Sequence, residues 1–359
     1  MVEKDRGDEE ENPQDLYILQ QLPPWAGSAE CKDDAGSAEI GKGRMRMRKK
    51  VMGFLVIGVI AYIGLGFMEG SGSVAVNYIS TGTTIDTINS LPPVELVKTD
   101  MHLTSAPGLR CVSAITVDNN TNQVLYEKRS EVRRPIASIT KLLAAVVLAE
   151  MDFDLNQKVM ISRWDSRASA GSRLKIGEKF FAKDLFYAAL IASDNQAIKA
   201  LARTSGVAYP EFIRRMNQTA RKLGMDSTSV IDPSGIFNHN ISSARDCVKL
   251  LNYALKFPII KSALSTRLYE FRSLNHKRLI RVGNTNRMLK SKWNVCGGKT
   301  GYISASGYCL VNRMQDDHGA DITTVVLGAP SNSYRFSETG KLARWAFENL
   351  DKKLADGGE

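Results

Sequence analysis

The chain has 359 residues, 43% of them hydrophobic and 24% charged, with a formal net charge of +10, which allows one large domain or two ordinary ones around a sizeable core. A basic balance favours anionic partners such as nucleic acid, acidic lipid or a carboxylate-bearing polymer. No zinc-finger spacing, aromatic-rich RNA-binding run or basic heptad helix supports nucleic acid, and no Cys-x-x-Cys pair or histidine cluster points to a metal, so neither a metal nor another cofactor is expected.

Residues 1–43 hold eleven Asp/Glu against four Lys/Arg and contain AGSAE twice, which predicts a disordered acidic tail. RMRMRKK then leads into eighteen uncharged residues, VMGFLVIGVIAYIGLGFM (51–68), so 44–68 is predicted to be a basic flank and transmembrane anchor. Its cations should stay in the cytoplasm, leaving everything after residue 70 exported. A start at Met45 or Met47 would instead make this segment a cleaved signal peptide, but no clean Ala-x-Ala site follows, which favours the anchor. The Gly/Ser/Thr-rich stretch 69–106 reads as a linker, 107–350 as one folded domain and 351–359 as a tail. Cys31 falls on the cytoplasmic side. Cys111, Cys247, Cys296 and Cys309 fall outside, where two disulfides or four free thiols are both open.

Within the domain, CVSAITV and QVLYEK flank the turn cluster DNNTN and predict a hairpin. KLLAAVVLAEM, AKDLFYAALIA and NQAIKALARTSG predict helices, the last capped by Gly206. YPEFIRRMNQTARKLGM places Phe212, Ile213, Met216, Ala220 and Leu223 at amphipathic helical spacing. LIRVGN, WNVCGGKTGY, GYCLVNRM and ITTVVLGA return to strand before a last helix, SETGKLARWAFENL. The predicted class is α/β of the α+β type, one antiparallel sheet covered by helices with its N- and C-terminal strands side by side.

The chemistry starts at PIASITKLLA, where Ser138 and Lys141 lie one helical turn apart at the start of an apolar helix. Residues three apart share a helix face, so hydroxyl and amine can meet. A serine becomes a nucleophile only when something takes its proton, and partial burial near the positive end of a helix dipole makes a neutral lysine base accessible. The pattern recurs as Ser172-Arg-Leu-Lys175, but between glycines and without an apolar helix behind it, which reads as surface turn. Only the first copy has partners in order. Ser193-Asp194-Asn195 falls at a helix junction, where its polar groups can hold the lysine and a substrate amide. Lys299-Thr300-Gly301 falls on a β-rich run, where cation and hydroxyl can hold a carboxylate and the glycine admits substrate backbone.

This triple resembles that of the penicillin-recognising serine enzymes, the penicillin-binding proteins and serine β-lactamases. The likeness runs from about Ser113 to Leu350, and LIASDNQAIKAL, DPSGIFNHNISSARD and GGKTGYISASGYCLV are similar to the low-molecular-weight D-alanyl-D-alanine peptidases, most of all the penicillin-binding protein 7 group of endopeptidases. The resemblance implies a D,D-peptidase/β-lactamase-like fold with helices on both sheet faces. It implies Ser138 as nucleophile, Lys141 as base, Ser193 as proton relay, and Asn195, Lys299, Thr300 and Gly301 as substrate-binding residues, with the backbone N–H groups of Ser138 and Tyr302 as oxyanion hole. Partners would be peptidoglycan peptides, with β-lactams as covalent inhibitors. The domain would then stand in the periplasm, tethered to the inner membrane through 51–68 or released if that segment is cleaved. Residues beyond 50 carry a balance of +12, which suits a wall polymer rich in carboxylates. Ser304 and Ser306 depart from relatives that often carry a charged residue or alanine there.

Three rivals are weighed. A class A β-lactamase would need a Glu-x-x-Leu-Asn between Asn195 and Lys299, and none is present. Many D,D-carboxypeptidases carry an extra β-domain and an amphipathic C-terminal anchor, whereas about sixty residues follow Lys-Thr-Gly here, which favours the endopeptidase. A membrane-tethered sensor that acylates without turnover is the reading from outside the enzymes.

Overall fold

The structure, a computed structural model, describes residues 95–99, 103–169 and 171–356. The acidic tail, the apolar segment 51–68 and residues 69–94 lie outside the described residues. Among the described residues no helix is long and apolar enough to cross a membrane.

A short strand, β1 (Val97–Lys98), precedes the hairpin of β2 (Ser113–Asp118) and β3 (Gln123–Lys128). The hairpin turns because Asp118 accepts from Asn120 N at 3.0 Å and Thr121 Oγ1 at 2.6 Å, while Asn122 takes a φ of 58°. Next come β4 (Arg134–Pro135), a 3₁₀ turn (Ala137–Ile139) and α1 (Thr140–Glu150). Apolar all round and buried from Thr140 to Leu148, α1 is the central core helix. The middle of the chain holds β5 (Lys158–Met160), α2 (Arg163–Ser166), β6 (Lys179–Phe181), α3 (Ala182–Ile191), α4 (Asn195–Arg203) and α5 (Tyr209–Lys222). It continues through β7 (Ile241–Ser242), α6 (Ala244–Ala254), α7 (Pro258–Ser265), β8 (Leu268–Arg272) and β9 (Leu279–Gly283). The last part is β10 (Asn294–Ile303), β11 (Gly307–Gln315), β12 (Asp321–Ala329) and α8 (Asn332–Asp356).

The main sheet has the order β1-β3-β2-β12-β11-β10, so the first hairpin and the last strands do meet, Ile115 opposite Val325. Alternating side chains divide its two faces. Ile115, Val117, Val311, Val325 and Leu327 join the large core containing α1 and α3 to α7. Leu310, Met314 and Ile322 face the other way, onto Ala343, Trp345, Ala346, Phe347 and Leu350 of α8. Helices therefore cover both faces, as predicted.

Four expectations need correction. The sheet is not wholly antiparallel, because β1 runs parallel to β3. That strand also lies inside the stretch read as linker, and Thr104 is held by Asn349 Oδ1 at 2.8 Å, so ordered packing begins before residue 107. LIRVGN forms β9, which among the described residues pairs only with β8, in a separate two-stranded ladder. Gly206 stands beyond the end of α4, whose cap is Thr204. Cys111, Cys247, Cys296 and Cys309 are free thiols, and burial raises the pKa of each.

Candidate active site

Ser138 sits in the 3₁₀ turn rather than in α1 itself, and Ala137 before it holds a φ of 49°, a left-handed value uncommon for alanine. Lys141 is the second residue of α1. Its Nζ donates to Ser138 Oγ at 2.9 Å, Asn195 Oδ1 at 2.6 Å and the Ser234 carbonyl at 2.6 Å. An ammonium uses all three donors this way. A neutral amine keeps two N–H groups for Asn195 and Ser234 and turns its lone pair to the Ser138 hydroxyl, the arrangement that takes the serine proton. Lys141 is wholly buried, and this burial pulls its pKa down to about 7, against the opposing pull of Asp232 and Asp194 and with Lys199 adding to the depression. Burial, partial in the sequence reading, is complete and is the leading cause.

Ser193 follows the end of α3 with a φ of 60°, and Asp194 caps α4 by accepting from Ala197 N at 3.0 Å. This reversal aims Asn195 at Lys141 and Ser193 at a different lysine: Lys299 Nζ donates to Ser193 Oγ at 2.9 Å and to the Thr300 carbonyl at 3.1 Å. Among the described residues no carboxylate pairs with Lys299. Its burial, with Lys141 and Arg335 nearby, holds its pKa well below the usual lysine value. A buried amine without a counter-anion is costly to charge, so a ligand carboxylate beside it would favour its protonation and supply the missing partner. Thr300 Oγ1 lies 2.7 Å from Thr285 Oγ1.

Gly301 brings the strand to the nucleophile. A Cβ at this position would lie 2.6 Å from the Ile136 carbonyl oxygen and 3.1 Å from Ser138 N, so only glycine permits the approach. Tyr302, half exposed, stacks on Tyr308 with ring centroids 4.2 Å apart. Ser306 is structural: its Oγ accepts from Ile303 N at 3.0 Å and closes the β10–β11 turn.

Sequence reasoning passed over several contributors. Ser172, from the discounted second Ser-x-x-Lys, donates to Asp194 Oδ2 at 2.7 Å, while its Lys175 is exposed as expected. A cleft of about 240 Å³ opens beside Ser193 and Asn195, walled by Gly171, Ser172, Arg173 and the end of β9. Arg335, at the start of α8, donates to the Gly301 carbonyl at 3.0 Å, and burial lowers its pKa to about 10. No local pattern marks it, since packing of α8 on β11 brings it there. Asp194 bridges the loop and the helix start, so Asp194→Ala is expected to lower stability by about 1–2 kcal/mol, read by thermal melting.

Together these residues form a serine with an adjacent tunable amine, a second hydroxyl–amine pair and a strand edge beside them, the parts needed for acyl transfer. Residues 100–331 match the family described as D-alanyl-D-alanine carboxypeptidase. The D-alanyl-D-alanine endopeptidase of Escherichia coli is 34% identical over 244 residues, 67% of this chain and 78% of that protein. A D-alanyl-D-alanine carboxypeptidase of Bacillus subtilis is 30% identical, over 72% of this chain and 68% of its own. Among solved structures, the Streptomyces K15 DD-transpeptidase superimposes with a TM-score of 0.64 at 28% identity, covering 68% of this chain and 100% of that one.

Proposed function

The chain belongs to the D-alanyl-D-alanine carboxypeptidase family of serine peptidases, and from that membership we propose that it hydrolyses peptidoglycan cross-links as a D-alanyl-D-alanine endopeptidase. The observation that carries the chemistry is the 2.9 Å contact between Ser138 Oγ and a buried Lys141 whose pKa is lowered to about 7.

Neutral Lys141 takes the Ser138 proton as Oγ bonds to the carbonyl carbon of a D-alanine, on the acyl side of the bond to be cut. The backbone N–H groups of Ser138 and Tyr302 receive the charge that develops on the oxygen. As the C–N bond breaks, Lys141 gives up that proton, which reaches the departing amine by way of Ser193, whose hydroxyl is held by Lys299, and Lys141 is neutral again. Asn195 binds substrate backbone, and Lys299 with Thr300 holds the substrate carboxylate. Water then adds to the acyl carbon, losing its proton to Lys141, and Ser138 leaves with a proton restored. A penicillin enters by the same first step and is released slowly.

The endopeptidase reading rests on the relatives of that name at 33–36% identity, including those of Pseudomonas aeruginosa and Haemophilus influenzae. The Bacillus relative keeps the carboxypeptidase as the second reading. Residues 51–68 would tether the domain to the periplasmic face of the inner membrane, and N-terminal sequencing of the mature protein separates an anchor from a cleaved signal. Mass analysis of cross-linked muropeptide dimers incubated with the protein tests the activity. Conversion to monomers is expected. Loss of only a terminal D-alanine would establish the carboxypeptidase, and penicillin labelling without any cleavage would make the protein a sensor.

A further inference from the structure

The third acceptor of Lys141 belongs to a buried turn, and that turn is organised by one carboxylate. Asp232 accepts from Ser234 N at 2.7 Å, Ser234 Oγ, Gly235 N at 2.9 Å, Phe237 N at 3.4 Å and Asn240 Nδ2. Asp232, Ser234 and Asn240 are each at most 1% exposed, and no ion pair to Asp232 exists among the described residues. A carboxylate buried in this way is expensive, and an apolar turn of the same shape would avoid the cost.

What the carboxylate holds gives it a purpose. Ser234, fixed through both its N–H and its hydroxyl, presents its carbonyl to Lys141 Nζ at 2.6 Å. Asn240, fixed through its amide, presents its backbone carbonyl to Ile136 N at 3.1 Å, two residues before Ser138. The side-chain oxygen of Asn240 also accepts from Ile231 N at 3.0 Å and Asp232 N at 3.2 Å, closing the turn on itself. One carboxylate is thus tied both to the amine and to the loop carrying the hydroxyl.

We propose that Asp232 is a positioning residue for acylation, holding the Ser234 carbonyl on Lys141 and the turn against the Ser138 loop. The inference rests on the assignment of Lys141 as base to Ser138. Asp232 touches no reacting atom and acts through Lys141. Four charged groups face that amine: Asp232 from the turn, Asp194 from the cap of α4, Lys199 from within α4 and Lys299 from β10. Asp232 also faces Lys199 and Tyr209. Its negative charge favours protonated Lys141, so removing it leaves Asp194 alone against the two lysines and makes the amine easier to deprotonate.

Two variants separate charge from geometry, with acylation by a labelled penicillin followed across about pH 5 to 9. Asp232→Asn removes the charge and keeps an acceptor for Ser234 N and Gly235 N. Its maximal rate should fall about tenfold, and the inflection should move to lower pH by about half a unit or more. Asp232→Glu keeps the charge but displaces the turn by a methylene, so the rate should fall comparably with the inflection unmoved. If Asp232→Asn does not fold, Asp232→Glu decides by its rate. Wild-type rates in the variants that fold, or an unmoved inflection in folded Asp232→Asn, would overturn the proposal. Labelling that survives in Ser138→Ala would instead sink the underlying assignment.

Discussion

Ser138→Ala is expected to abolish covalent penicillin labelling and peptide cleavage together, and Lys141→Ala to slow acylation about a thousandfold while Ser138 remains in place. The first loss is absolute because the acyl-enzyme has no other oxygen to form on. The second is the usual contribution of a positioned general base, about 10²–10⁴ in rate, or roughly 3–5 kcal/mol of barrier. The pH dependence identifies the base. Burial disfavours the ammonium of Lys141 and brings its pKa down to about 7, and only the neutral amine accepts a proton. Acylation by wild-type protein should therefore climb with pH through an inflection near 7 and level off above it, losing about tenfold for each unit below. A lysine left at its ordinary value would place the inflection beyond pH 9, and such a result would assign the proton to another acceptor. Stopped-flow acylation on protein whose melting temperature is checked at each pH makes the measurement.

The order of the three motifs, the first hairpin, the buried helix and the closing strands were legible because each has a local signature: turn residues at fixed places, an apolar run, a small residue where backbones meet. What escaped the sequence reading is set between distant segments. Ser193 and Asn195 are two residues apart yet serve different lysines, Lys299 and Lys141, because Ser193 adopts a positive φ between two helices. Nothing in Ser-Asp-Asn as a string separates those partners. DPSG enters the sequence reading only as part of a family likeness, and its burial against the Ser138 loop is what gives Asp232 its place. Strand β1 has two residues and therefore no alternation to detect, while the separation of β8 and β9 from the main sheet depends on pairing rather than on propensity. Arg335 reaches the Gly301 carbonyl only because a helix packs on the far side of the strands.

Gly235→Ala should be among the most damaging single-methyl additions to the domain, lowering stability by about 2–5 kcal/mol and acylation with it. Two costs combine. Gly235 has a φ of 76°, a conformation that costs an alanine about 1–2 kcal/mol. Its missing Cβ would also press into the Ala137 carbonyl and approach Thr140 Oγ1 at 2.9 Å, and overpacking of that kind typically costs about 1–3 kcal/mol. Neither neighbour yields easily: Ala137 already has a positive φ, and Thr140 opens the buried helix α1. Relief must come from moving the turn, which carries the Ser234 carbonyl away from Lys141. Gly206→Ala isolates the first cost, since Gly206 has a φ of 89° with nothing within 4 Å of an added Cβ. In denaturant titrations Gly206→Ala should lose about 1–2 kcal/mol with normal penicillin labelling. Gly235→Ala should lose at least about 1 kcal/mol more, with labelling slowed about tenfold or further. Equal losses in the two variants would mean that the turn does not press on the Ser138 loop, and would remove the packing by which Asp232 is tied to the nucleophile.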